Sequence, residues 1–229
     1  MAIDKKNSPV WYRVVVWIVL IAFVVGMVVV GVVSIFNGGL QNPTNSSSTN
    51  ASSQETTATA AAQKAEATIN GRHQPQVTAA LAALKSKPDD FTTNSNVGTA
   101  YSLWGQDLMN AGDNQSSIDA MARYKDAAPY LAKAYNLKPT DTAIANSYIL
   151  ALAYSGDQAQ ATSVARDVTK KNPNDAQSWS NLGFLLSTSS DKNAKTEAIA
   201  ALQTAIKKDT SGTLKAAAQQ EIDTLNKAQ

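Results

Sequence analysis

The chain has no cysteine, one histidine and few aromatic side chains, 7% of the total. Without cysteine there are no disulfides, thiolate zinc sites, thiol nucleophile or lipid-bearing cysteine. The one histidine, His73, lies in Gly71-Arg72-His73-Gln74-Pro75 and reads as a surface turn residue. No second His or Cys is present to complete a triad, a dyad or a zinc site. Glycine-rich phosphate signatures (G-x-x-x-x-G-K-[ST], G-x-G-x-x-G after a strand) are also missing, so nothing cradles a nucleotide. Asp89, Asp141 and Asp175 read as helix caps and Asp113 and Asp157 as turn residues, which leaves no selected pair of carboxylates for acid–base work. The expectation is a non-enzymatic chain with no cofactor, no metal and no catalytic residue. The net charge of +2 arises within residues 1–13, and the rest of the chain is balanced. Nucleic acid is not an expected partner.

Charge is absent altogether from Val14 to Phe36. A helix of that length, rising 1.5 Å per residue, reaches roughly 34 Å and would cross a hydrocarbon core of about 30 Å. A cleaved signal sequence would have a shorter apolar run and a small-x-small site, which Ser34-Ile35-Phe36-Asn37 does not supply. The run reads as an uncleaved transmembrane helix, 14–36. Lys5, Lys6 and Arg13 precede it and no Lys or Arg follows until Lys64. The excess of cations keeps residues 1–13 in the cytoplasm and sends the C-terminal part across the membrane. Residues 37–58 are small and polar and read as a flexible linker. Ala22 and Gly26 form a small-xxx-small pair that can seat a second helix.

Beyond the linker the sequence is helical throughout, with apolar residues at three-and-four spacing and no sustained alternation at period two, so the fold class is all-α. Similar breaks recur at KSKPDD (85–90), NLKPTD (136–141) and KKNPND (170–175), each closing a helix with Pro and offering Asp to cap the next. Pro139 and Pro173 stand 34 residues apart, a spacing that points to a repeat array. At that period Trp179, Leu182, Gly183 and Leu186 align with Ala145, Tyr148, Ile149 and Leu152, and with Tyr101, Trp104, Gly105 and Leu108. Downstream, Ala198 and Leu202 align with Ala161 and Ala165, and with Ala127 and Leu131.

These positions resemble the tetratricopeptide repeat family, whose pattern runs W-x2-L-G-x2-Y, A-x3-F, P. The unit at 142–175 fits without a gap. The unit at 98–141 carries about ten extra residues between Asp113 and Ala127, and that at 176–212 about three, with Thr210 in place of Pro. Residues 59–97 read as a helical pair turning near Gly71, a degenerate further unit. Residues 213–229 read as a capping helix with Lys215, Gln219, Gln220, Glu221, Asp223 and Lys227 outward.

The resemblance implies a curved solenoid whose first helices line a peptide-binding groove. Carried over, that groove comprises Thr99, Ser102, Gln106, Met109 and Asn110, then Asn146, Ser147, Leu150 and Tyr154, then Gln177, Ser180, Asn181 and Phe184. None is a cation, so a clamp for a terminal carboxylate is not implied. The amides of Asn146 and Asn181 would hold the backbone of an extended segment. The expected partner is a protein or extended peptide, met by a membrane-anchored scaffold at the bacterial cell envelope, accessory to secretion or cell-wall assembly. A self-associating assembly scaffold is the alternative.

Overall fold

The computed structural model describes residues 51–189 and 191–227, and side chains from residue 60 onward. The expected cytoplasmic tail, transmembrane helix and most of the linker lie outside the described residues. Among those described, no helix is long and apolar enough to cross a membrane.

Eight helices make up the described chain: α1 (Ala51–Ser86), α2 (Phe91–Ala111), α3 (Asn114–Leu137), α4 (Thr142–Tyr154), α5 (Gln158–Lys171), α6 (Ala176–Ser187), α7 (Lys192–Lys208) and α8 (Lys215–Lys227). Each packs on the next, and α2, α4, α6 and α8 also touch in sequence along one side. The result is an all-α stack of helical hairpins, α2–α3, α4–α5 and α6–α7, flanked by α1 and α8. One continuous apolar core runs from Val77 to Leu225. No hairpin buries its own apolar face, so each is stabilised by its neighbours.

Aspartate starts every helix from α2 to α7. The carboxylates of Asp90, Asp113, Asp141, Asp157, Asp175 and Asp191 accept from Thr93, Ser116, Ile144, Gln160, Ser178 and Asn193 backbone N–H at 2.8–3.1 Å. Each bond satisfies one otherwise orphaned donor and fits the positive end of the helix. Asp90, not Asp89, caps α2; the exposed Asp89 pairs instead with Lys133 at 2.6 Å. Asp113 and Asp157, expected as turn residues, are caps as well. Before Asp157, Gly156 has φ 93° and α4 closes with bonds from Asp157 N–H to Leu152 O and Gly156 N–H to Ala153 O. A left-handed residue is needed there, and glycine takes it without a Cβ clash.

Close helix crossing fixes the register of the hairpins. A Cβ placed on Gly183 would lie 2.5 Å from Leu202 Cγ and 3.2 Å from Ala198 O. The matching place in the first hairpin is Gly98, whose Cβ would lie 2.5 Å from Leu131 Cγ, rather than Gly105. A second marker agrees. Asn94 Nδ2 donates to Pro88 O at 2.9 Å, and Trp179 Nε1 donates to Pro173 O at 3.0 Å, each six residues past its proline. The expected equivalence of Tyr101 with Trp179 therefore fails; Tyr101 stacks on Tyr130 instead. The first unit starts seven residues earlier than its motif suggested. Its extra length is no inserted loop. It lengthens both helices, to 21 and 24 residues against 13 and 14 in the second hairpin. Gly105 then makes a further close approach, to the Tyr124 ring, within the overhang.

Three other expectations are corrected. Residues 59–97 form no helical pair: α1 runs unbroken through Gly71 and Pro75 to Ser86, and residues 51–58 of the expected linker belong to it. Gly and Pro inside a helix cost about 1 and 3 kcal/mol. Against that, Ile69, His73, Val77 and Leu81 form one stripe across the break, buried or partly buried on α2. Glu221 does not face outward; it is 5% exposed, whereas the five other polar residues named for α8 are exposed. At the last link, where proline is missing, Asp209 replaces it as organiser. Its carboxylate accepts from the N–H groups of Ser211, Gly212 and Leu214 at 3.1, 3.0 and 2.7 Å.

These contacts set the expected cost of substitution. Gly183→Ala and Gly98→Ala each destabilise the array by roughly 1–3 kcal/mol through overpacking. Gly71→Ala, whose added methyl would meet nothing within 4 Å, leaves stability unchanged or raises it by about 0.5–1 kcal/mol. Equal melting temperatures for all three variants would refute the proposed register. Burial pushes the Asp209 carboxyl up, but the bonds from Ser211, Leu214 and Gly212 outweigh it and hold the group below the usual range. A depressed folded value means this stabilisation is complete above the unfolded value, about 3.9, and fades as pH falls through the folded one. Asp209→Asn should therefore lower the melting temperature at pH 7 and shrink the difference from wild type as the pH drops below about 4; a difference independent of pH would contradict the role.

Candidate functional site

The two helices of each hairpin differ in charge. The first helices, α2, α4 and α6, contain no Lys or Arg, and Asp107 is their only acid. The second helices, α3, α5 and α7, carry ten Lys or Arg and four acids. Asp107 is engaged by Arg72 and His73 of α1, so the rest of the face along α2, α4 and α6, where the expected groove residues lie, is uncharged.

The structure treats those residues in three ways. Asn146 and Asn181 belong to an internal network joining α4 to α6. Asn146 Nδ2 donates to Asp175 Oδ2 at 2.9 Å, and its Oδ1 accepts from Ser178 Oγ and Asn181 Nδ2, both at 3.0 Å. Gln177 Nε2 donates in turn to Asn181 Oδ1 at 2.9 Å. Asn146 is 9% and Asn181 3% exposed. These amides are committed to each other and to the α6 cap, and do not present themselves to an extended segment as expected. Ser180, Phe184 and Tyr154 are also buried. Tyr154 stacks on Tyr124 with ring centroids 4.5 Å apart, and burial pushes both hydroxyls well up from the usual tyrosine range. Neither is a proton acceptor at neutral pH.

The second group sits on the overhang of the first hairpin. Gln106, Met109 and Asn110 lie beyond the ends of α4 and α6 in the register that Gly98 and Gly183 set, so they have no counterparts there, and Ser102, opposite Ser187 and Ala153, stands at the edge of the matched part. Ser102 Oγ is buried without a partner, Met109 is buried, Gln106 is partly exposed and Asn110 exposed. The third group remains accessible: Thr99 is exposed, and Ser147, Leu150 and Gln177 are partly so. Counting from the linker prolines adds two residues that the motif alignment missed. Thr92 corresponds to Gln177 and Asn96 to Asn181, and both are exposed. The signal was present in the sequence, since Pro88 precedes Gly98 by the same ten residues that separate Pro173 from Gly183. Accessibility on this face falls along the array, from Thr92, Asn96 and Thr99 to Ser147 and Leu150, and then to the covered Asn181 and Phe184. Asn181 is covered because it bonds to Asn146 and Gln177 across and along the α4–α6 contact.

The second helices frame a different hollow. Between α5 and α7 lies a groove of about 760 Å³, lined in part by Thr162, Ser163, Arg166, Lys170, Ser189 and Asp191. Arg166 crosses it to Glu197 with bonds of 2.6 and 2.9 Å, which hold the Glu197 carboxyl low. The lining charges balance.

His73 is not the surface turn residue expected. It is 5% exposed, and its Nε2 lies 2.8 Å from Asp107 Oδ2. Helix continuity through Gly71 and Pro75 turns its ring onto α2. Its ring stacks near Trp104, and among the described residues the recorded hydrogen-bond partner of its Nε2 is Asp107. Among the described residues no group of three His, Cys, Asp or Glu is placed to hold a metal.

If Asn146 is structural, Asn146→Ala leaves Asp175, Ser178 and Asn181 short of a partner and costs on the order of 1–3 kcal/mol, whereas Ser147→Ala stays within about 0.5 kcal/mol of wild type. Urea unfolding checks this, and an Asn146→Ala midpoint equal to wild type would return the amide to ligand duty. No family model matches the chain, and no curated protein matches it. Among solved structures it is similar to one described as "YrrB: a TPR protein with an unusual peptide-binding site", at 20% identity and a TM-score of 0.38, over 66% of this chain and 84% of that one. A likeness at that level carries no argument about function.

Proposed function

We propose that this chain is a membrane-anchored interaction module, in which the hairpin array recruits a protein partner at the bacterial cell envelope. Residues 14–36 span the membrane with residues 1–13 in the cytoplasm, and the array works on the far side, in support of secretion or cell-wall assembly. The role is binding rather than catalysis.

The observation that carries the reading is the uncharged face along α2, α4 and α6. Thr92, Asn96, Thr99, Ser147 and Gln177 offer amides and hydroxyls around the apolar Leu150. Such a face suits an extended backbone, which needs both donors and acceptors, better than a charged terminus. The proposed contact surface is centred on the first two hairpins, where accessibility is greatest. Self-association by end-to-end stacking fits less well, because α8 turns Lys215, Gln219, Gln220, Asp223 and Lys227 outward and so closes that end with a polar face.

The test is crosslinking and co-purification of the full-length protein from membranes. The wild type is expected in the carbonate-resistant membrane fraction with a defined protein bound. Asn96→Arg combined with Leu150→Glu should keep the helical content and lose that protein. Retention of the partner would move the contact surface elsewhere, and extraction by carbonate would remove the anchor.

A further inference from the structure

Helix α1 is 36 residues long, and among its described side chains packing on the apolar core starts only past the midpoint, at Ile69. From residue 60 to 68 every side chain is exposed except those of Ala62 and Glu66, which are partly buried; packing on α2 begins at Ile69 and Asn70. The short 87–90 link makes α1 antiparallel to α2, and Asn70 and His73 lie against Trp104 and Asp107. The first half of α1 therefore runs past the Gly112 turn that ends the first hairpin. The nine residues 60–68 correspond to about 14 Å of helix.

A free helix of this kind should bend where α1 is weakest. Pro75 has no N–H to give the Gly71 carbonyl, and Gly71 adds backbone freedom in the same turn. Kinks in helices concentrate at such places. The residues inside that turn are the ones that bond to the array. Trp104 Nε1 donates to Asn70 Oδ1 at 2.8 Å. Arg72 Nη1 donates to Asp107 Oδ2 at 3.1 Å, and His73 Nε2 meets the same oxygen at 2.8 Å. His73 and Trp104 stack at 6.4 Å, and Arg123 of α3 sits 4.4 Å from the Trp104 ring centroid. Three helices thus converge on one helical turn, and elsewhere α1 meets the array through Ile69, Val77 and Leu81.

From this juxtaposition we infer that residues 70–75 of α1 are a hinge, latched by Asn70, Arg72 and His73 onto Trp104 and Asp107, so that the projecting half of α1 moves as one body with the array while the latch is closed and swings when it opens. Asp107 is the key of the latch, since one oxygen serves both Arg72 and His73. It is also the only charge on α2, α4 and α6. The latch therefore couples the chain leading towards residues 14–36 to the first hairpin, next to the most accessible part of the uncharged face. The inference goes beyond the proposed recruiting role and does not need it, because the motion is internal to the chain.

The absence of cysteine makes the test direct. In the full-length protein in detergent, Lys64→Cys and Lys170→Cys carry spin labels, and pulsed electron resonance reads the distance between α1 and α5. The unmodified latch should give one narrow distance peak. Asp107→Ala should replace it with a broad distribution at unchanged helical circular dichroism. Should Asp107→Ala unfold the first hairpin, Asn70→Ala with Arg72→Ala and His73→Phe, which removes all three bonds and keeps a ring against Trp104, makes the same test. Adding Gly71→Ala and Pro75→Ala to the latch-broken protein should restore the narrow peak, because a continuous helix no longer needs pinning. A narrow peak in the latch-broken variants, or a broad one in the unmodified protein, would overturn the hinge. So would failure of the added Gly71→Ala and Pro75→Ala changes to restore the peak.

Discussion

Everything in this array depends on how closely the two helices of a hairpin approach. Where Gly98 or Gly183 lies against a leucine of the second helix, no side chain separates the backbones. The leucine can then sit at zero exposure, and the alanines one turn away, Ala127 and Ala198, pack at zero exposure too. In the middle hairpin Ile149 stands at the glycine position and Ala165 at the leucine position, so bulk and gap change sides while their sum is kept. That exchange is a volume-conserving swap, which cores tolerate well. The low aromatic content belongs to the same economy of space: thin helices at short separation need small side chains more than large rings.

Charge is spent at helix ends. Six aspartates occupy N-caps, and Lys170, Lys171, Lys207 and Lys208 occupy last turns, each favoured by the sign of the nearby helix end. Across hairpins, Tyr135 donates to Asp167 at 2.7 Å, and Lys208 donates to Asn174 at 2.6 Å. Lys171 and the Tyr135 hydroxyl hold the Asp167 carboxyl below the usual range. With the ionic groups used in this way, the first helices keep one charge, Asp107, which is engaged by α1, and the chemistry of their accessible face reduces to amides, hydroxyls and Leu150.

The hairpins were legible in the sequence because their breaks are chemical: proline cannot continue a helix and aspartate starts one. The register of the first hairpin was not, because Trp104-Gly105 imitates the repeat motif two turns beyond the true crossing at Val97-Gly98. Both glycines make close approaches, so the local pattern is real in each place, and only the distance from Pro88 separates them. The continuity of α1 was hidden for a different reason. Gly71 and Pro75 are local signals for a turn, and the packing of Ile69, Val77 and Leu81 that overrides them is tertiary. The groove residues failed in part for a third reason. Periodicity identifies which face of a helix a residue occupies, but whether Asn146 faces solvent or Asn181 depends on a neighbour 35 residues away.

The two flanking helices set a limit on how this chain can grow. Because α8 shuts its end with a polar surface, a hairpin appended after Lys227 would find no apolar face to rest on. New units must enter by duplication inside the stack, and the gapless segment between Asp141 and Asp175 is the one whose two borders already match each other. A copy of that segment would rest on surfaces the stack already presents, so one more hairpin there would need no new kind of interface.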